Sequence, residues 1–154
     1  ALSSEVKVGV TRKTQVPTRW IDQGAVQAIP VLETPNRYLA GIAEVALKNH
    51  FADKTNWQKM LKNEVPVTNL FEEKSKLKQW LPEETKPYFI EEDHLYQMDF
   101  PVQTYPLKVT SLKLEKTPNF SGKVVGIKGQ YLIFEDGTVF NVRTYEGFVV
   151  ELKF

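Results

Sequence analysis

Few side chains in this sequence have the type and spacing for chemistry. A helix is written by Leu39, Ile42, Ala43, Ala46 and Leu47 at 3.6-residue periodicity, with Tyr38 and Val45 as a second apolar flank. Its remaining polar sector gathers Arg37, Gly41, Glu44 and Lys48. Glu44 is either half of a surface ion pair with Lys48, one turn on, or a carboxylate kept for function. Gly41 tilts the reading to function, because a glycine inside a helix costs about 1 kcal/mol unless something approaches the backbone closely. Arg19, beside Trp20, is either a functional guanidinium or a cation that snorkels past a core ring. Lys7 points away from Val6 and Val8 on its strand, toward the same site or toward water. In Asp53-Lys54-Thr55-Asn56-Trp57, Lys54 and Asn56 are polar groups able to contact phosphate, although a capped helix start with a buried tryptophan also accounts for the run.

Other chemistries are excluded. With no cysteine there is no disulfide framework, thiolate zinc site or cysteine nucleophile. His50 and His94 share no carboxylate at ligand-like spacing, so neither supports zinc. No Ser-His-Asp arrangement and no glycine-rich phosphate loop occurs. Toward the C-terminus Tyr131, Phe134, Phe140, Tyr145 and Phe148 interleave with Lys128 and Arg143, either as a platform for single-stranded nucleic acid or as the filling of strand cores.

The elements that must position these residues follow from pattern. Val6 to Thr11 alternates as a half-buried strand, Pro17 opens and Gly24 closes a short helix carrying Arg19, and Val26 to Leu32 forms a second strand. Thr34-Pro35 starts the helix of Glu44, which runs to about Phe51 and is buried on most of its circumference. Asp53 or Thr55 caps a helix with Trp57, Met60 and Leu61; Asn69 caps another that ends at Pro82. Pro82 to Pro106 reads as a wrapping, acidic linker. Five strands follow at 107–114, 123–128, 130–134, 138–143 and 148–153, with Asp136-Gly137 as a tight hairpin and Glu146-Gly147 as a weaker one.

The fold class is therefore α+β: a small mixed or antiparallel sheet flanked by helices, then further helices and a C-terminal antiparallel β-meander. Three parts follow, at 1–64, 65–106 and 107–154. Their Lys/Arg against Asp/Glu counts are nine to six, four to eight and seven to five, giving local balances of +3, −4 and +2. Such small excesses do not by themselves argue for a polyanion partner. No apolar run approaches the ~20 residues of a membrane helix, so the expectation is a cytoplasmic protein without membrane contact. Ala1-Leu2-Ser3-Ser4 enters a strand without an initiator methionine, as in a piece of a longer polypeptide.

Two resemblances attach to these residues. Val6-Lys7-Val8-Gly9-Val10-Thr11, then Pro17-Thr18-Arg19-Trp20, then Ala43-Glu44-Val45-Ala46-Leu47, resembles the GIY-YIG nuclease superfamily in its order of strand with glycine, helix with arginine, strand, and helix with glutamate. The whole chain, through Arg19 to Ala25, Asp53 to Trp57 and Gly126 to Phe134, is similar to an uncharacterised bacterial family, the domain of unknown function 2797. The first resemblance implies metal-assisted phosphodiester hydrolysis on DNA or RNA, with Glu44 holding one Mg²⁺ or Mn²⁺ and Arg19 stabilising charge on the phosphate. It puts Lys7 where a signature tyrosine stands and the other signature tyrosine on a strand ahead of Ala1. The expected function is nucleic-acid-acting, catalytic residues Arg19, Glu44 and Lys7, with Arg37, Lys48, Lys54 and Asn56 holding substrate. Lys7 in the tyrosine position motivates the alternative of a non-catalytic nucleic-acid-binding module. Near-neutral charge and acidic residues 83–99 motivate a protein-interaction domain.

Overall fold

The computed structural model describes residues 1–51 and 54–153. Its helices are α1 (Thr18–Asp22), α2 (Arg37–Leu47), α3 (Trp57–Leu61) and α4 (Leu70–Leu77). Two sheets accompany them. β1 (Gln27–Ala28) pairs antiparallel with β2 (Tyr96–Gln97); β3 (Thr110–Ser111), β4 (Val124–Lys128), β5 (Tyr131–Phe134) and β6 (Thr138–Asn141) form a sheet in the order β3-β6-β5-β4. The architecture is mixed α+β with small sheets, and helical turns and strands interleave along the chain rather than separating into a helical and a β part. Among the described residues no helix is long and apolar enough to cross a membrane.

Asparagines, not the threonines, cap α2 and α3. Asn36 Oδ1 accepts from the Leu39 N–H at 3.0 Å to begin α2, and Asn56 Oδ1 accepts from the Lys59 N–H at 3.1 Å to begin α3. The Thr34 hydroxyl instead donates to the Asn36 carbonyl. As expected, Asn69 caps α4, whose end tightens into a 3₁₀ turn over Lys78–Trp80 before Pro82. Burial on α2 is narrower than its apolar pattern suggests: Ala43 and Leu47 are buried against Leu77 and Leu81, whereas Tyr38 and Val45 are 70% and 69% exposed. The α4 region covers one stripe of α2 and leaves the other flank in water.

The strands differ most from expectation. Residues 6–11 form no strand and make one bridge, Val6 to Leu2, and beyond Lys7 their backbone finds no backbone partner among the described residues. An alternating pattern supplies a strand's faces but not the neighbour that completes its ladder. The second expected strand is cut to Gln27–Ala28 by Pro30, which has no N–H to give; the chain then pairs again where Leu32 meets Phe89. Nor is 82–106 only a linker, since it contains a 3₁₀ turn over Glu83–Tyr88 and supplies β2.

At the C-terminus, β4-β5-β6 is the expected antiparallel meander, and Gly137 turns the Asp136-Gly137 hairpin at φ 83°. A Cβ there would stand 2.5 Å from the Lys108 carbonyl, so glycine answers both dihedral and space. The strand expected over 107–114 shrinks to β3, which lies parallel to β6, not antiparallel. Arg143–Tyr145 is a 3₁₀ turn, and 148–153 forms no strand: Phe148 only returns its N–H to the Tyr145 carbonyl, so the second hairpin does not form among the described residues. Packing links the parts: Met60 and Leu61 of α3 are buried against Ile133 and Val139 of the sheet.

Candidate functional site

A hollow of about 530 Å³ lies beside the stretch 7–11, with α1, the inner face of α2 and α4 as its other walls. Its depth is apolar, including the buried Ile29, Ala43, Leu47, Leu70 and Leu77. Trp20 and Tyr96 join the lining and pack on each other, ring centroids 5.0 Å apart. The segment 6–11 brings Lys7 into this wall, the short α1 presents Arg19, and the polar sector of α2 presents Glu44.

Seven charged side chains line the hollow: Lys7, Lys13, Arg19, Glu33, Glu44, Glu73 and Lys74. Four are spoken for. Lys13 pairs with Glu33, Glu73 pairs with Lys76 at 2.7 Å, and the buried Lys74 meets Asp93 and the Glu92 carbonyl, each at 2.9 Å. Lys7, Arg19 and Glu44 enter no ion pair or side-chain hydrogen bond among the described residues. Their exposure explains how they stand without partners: Arg19 is exposed and the other two are half-buried, so water reaches their heads. Glu44 Oε1 lies 4.0 Å from where a Cβ on Gly9 would be, which brings the carboxylate near that glycine. Leftover charge is two cations and one anion around an apolar depth, an arrangement suited to an anionic group carried on a flat or apolar body.

The other four residues expected at the site do not line it. Arg37 is the exposed first residue of α2, Lys48 follows that helix's end, and Lys54 is exposed beyond it. The Asn56 side chain caps α3. Gly41 faces open space, with nothing within 4 Å of a would-be Cβ. Asp53 lies outside the described residues. Among the described residues no three His, Asp or Glu side chains stand together as a metal-ligand set. Glu44 is the one unpaired carboxylate of the hollow, which fits a hard cation held jointly by one carboxylate, water and a substrate phosphate, and not a cage made by protein alone.

The aromatic platform does not form. Tyr131 stacks on Trp57, centroids 5.9 Å apart, Phe140 stacks on Tyr145 at 5.2 Å, and Phe134 and Tyr145 are buried. Lys128, placed with that platform by its position, is wholly buried instead. Its ammonium donates to Asn63 Oδ1 at 2.7 Å and sits 5.3 Å and 5.1 Å from the ring centres of Phe100 and Tyr105. Desolvation pushes its pKa down from 10.5 to about 8. Asn63, Phe100 and Tyr105 also line a second hollow of about 530 Å³. Strand alternation could place Lys128 on the inward face with Gly126, but no local signal said that a cation would be accepted there.

A family model described as protein of unknown function matches residues 1–150. No curated protein and no solved structure matches the chain. Over that span, which leaves out only the last four positions, the chain belongs to the DUF2797 family of proteins of unknown function.

Proposed function

We propose that this protein acts on nucleic acid at the first hollow, with Lys7 and Arg19 receiving a phosphate group and Glu44 serving phosphodiester hydrolysis in a GIY-YIG-like manner. One observation carries the reading: after every ion pair of the hollow is accounted for, the charges left over are Lys7, Arg19 and Glu44. Arg19 offers a planar fork of N–H donors to two phosphate oxygens at once, and Lys7 adds a compact positive charge. The Glu44 carboxylate would hold a Mg²⁺ or Mn²⁺ ion, which when bound neutralises phosphate charge and acidifies water. Hydrolysis forms a bond from water oxygen to phosphorus and breaks one ester P–O bond, the leaving oxygen taking a proton. Both cations stabilise charge that grows on the phosphate oxygens as this happens.

The test is a cleavage assay on single- and double-stranded DNA and RNA in Mg²⁺ and in Mn²⁺. Cleavage is expected for the unaltered chain, and Glu44→Ala should abolish it while leaving the fold intact, since Glu44 makes no structural bond. Absence of both cleavage and binding contradicts the proposal. A second reading, binding without turnover, is favoured by Lys7 at the position of a signature tyrosine. It predicts salt-sensitive binding that survives Glu44→Ala, because phosphate contacts release counterions and need no metal.

A further inference from the structure

The shape behind the three charges says more about the substrate than the charges do. A hollow of about 530 Å³ falls within the ~300–1,000 Å³ of clefts that engulf a small ligand. A duplex, whose phosphates lie on a convex outer surface with the bases stacked inside, could bring phosphate to Arg19 but would leave this depth empty. An apolar space beside an unfilled phosphate-binding rim is stable in water only at a cost, and a flat apolar group attached to the phosphate removes that cost. In a polynucleotide that group is the base, provided it is unpaired. Trp20 and Tyr96, packed against each other at an interplanar tilt of 58° in the wall, supply an aromatic surface for a base to meet, a contact open to every base type.

We infer that the site takes an unpaired nucleotide, its base seated in the apolar hollow against Trp20 and Tyr96 while its phosphate meets Lys7 and Arg19, so that single strands are bound in preference to duplexes. This rests on the proposed function above, and the experiment separates the two.

The unaltered protein is titrated, by fluorescence anisotropy at fixed salt, with a labelled thymidine octamer, an octamer of identical length in which every base is removed, and a blunt duplex. The octamer with bases should bind about tenfold tighter than either of the others, from the loss of base stacking in both. Equal affinity for the abasic octamer, or a duplex bound as well as the single strand, overturns the inference while leaving phosphate recognition standing. No affinity for any of the three overturns both. Ala40→Phe, which fills the hollow from the half-exposed side of α2, should lower the affinity for the thymidine octamer to that for the abasic one and leave the abasic affinity unchanged. Should that variant fail to fold, the three-oligonucleotide comparison on the unaltered protein still decides. Tight binding of a long-chain fatty acid that the thymidine octamer cannot displace would also overturn the inference, since it would assign the hollow to an acyl chain.

Discussion

Replacing Lys128 by methionine should change how stability depends on pH. The unaltered amine is wholly buried, faces two rings and one amide oxygen, and enters no ion pair among the described residues. Its pKa falls from 10.5 to about 8 on folding. The folded chain therefore holds this proton less tightly than the unfolded chain, and between pH 8 and 10.5 the unfolded state binds more protons. Stability must then rise with pH across that window, the reverse of a paired lysine. Below pH 8 the buried ammonium costs about 3 kcal/mol, and roughly 2–3 kcal/mol of that is recovered between pH 7 and pH 10. Methionine of similar length carries no such penalty, and every other titration is common to both proteins and cancels. Urea unfolding followed by tryptophan fluorescence at pH 7, 8, 9 and 10 measures the difference. The free energy of the unaltered protein minus that of Lys128→Met should climb by about 2–3 kcal/mol over this range. A difference that stays flat to about 0.5 kcal/mol would refute the desolvation argument.

Gly24→Ala should destabilise the chain by about 2 kcal/mol or more, because φ there is 65° and a Cβ would stand 2.4 Å from Met60 Sδ; thermal unfolding reports it, and an unchanged Tm contradicts the close approach. Leu47→Ala, at a site 1% exposed between α2 and α4, should cost about 2–5 kcal/mol, whereas Tyr38→Ala on the exposed flank should stay within about 0.5 kcal/mol; equal costs from urea titration would mean that α2 buries both flanks. Asn36→Ala removes the cap of α2 and should cost about 1 kcal/mol, with Asn36→Asp restoring most of it. Arg19→Ala should leave stability within about 0.5 kcal/mol yet weaken oligonucleotide binding several-fold and lower the salt slope by about one; an unchanged slope would mean that Arg19 meets no phosphate.

Local signals carried much of this fold. Asn69 before an apolar run and Pro82 after it bound α4 and its 3₁₀ end, and Asp136-Gly137 between alternating runs gave a hairpin, because each feature is decided within a few residues. What local pattern could not supply is the partner. The parallel pairing of β3 with β6 joins residues far apart in the chain, and the unpaired state of 8–11 depends on a neighbour being absent. Periodicity on α2 overstated burial for the same reason: it marks apolar residues but not how wide a surface covers them. At the site, the types of Lys7, Arg19 and Glu44 singled them out and tertiary packing brought them to one hollow, while Lys54 and Asn56 owed their selection to polarity alone. Lys128 went unrecognised as buried because its partners, Asn63 after α3 and Phe100 and Tyr105 in the segment that follows β2, lie far from it in the chain.

The most direct measurement is amide chemical-shift mapping of the labelled protein titrated with a short thymidine oligonucleotide. Saturable shifts should concentrate at residues 6–11, at Thr18 to Trp20 and along the Ala40 to Leu47 face of α2. Shifts confined to the β4-β5-β6 sheet, or none at millimolar oligonucleotide, would contradict the assignment of nucleic acid to this hollow.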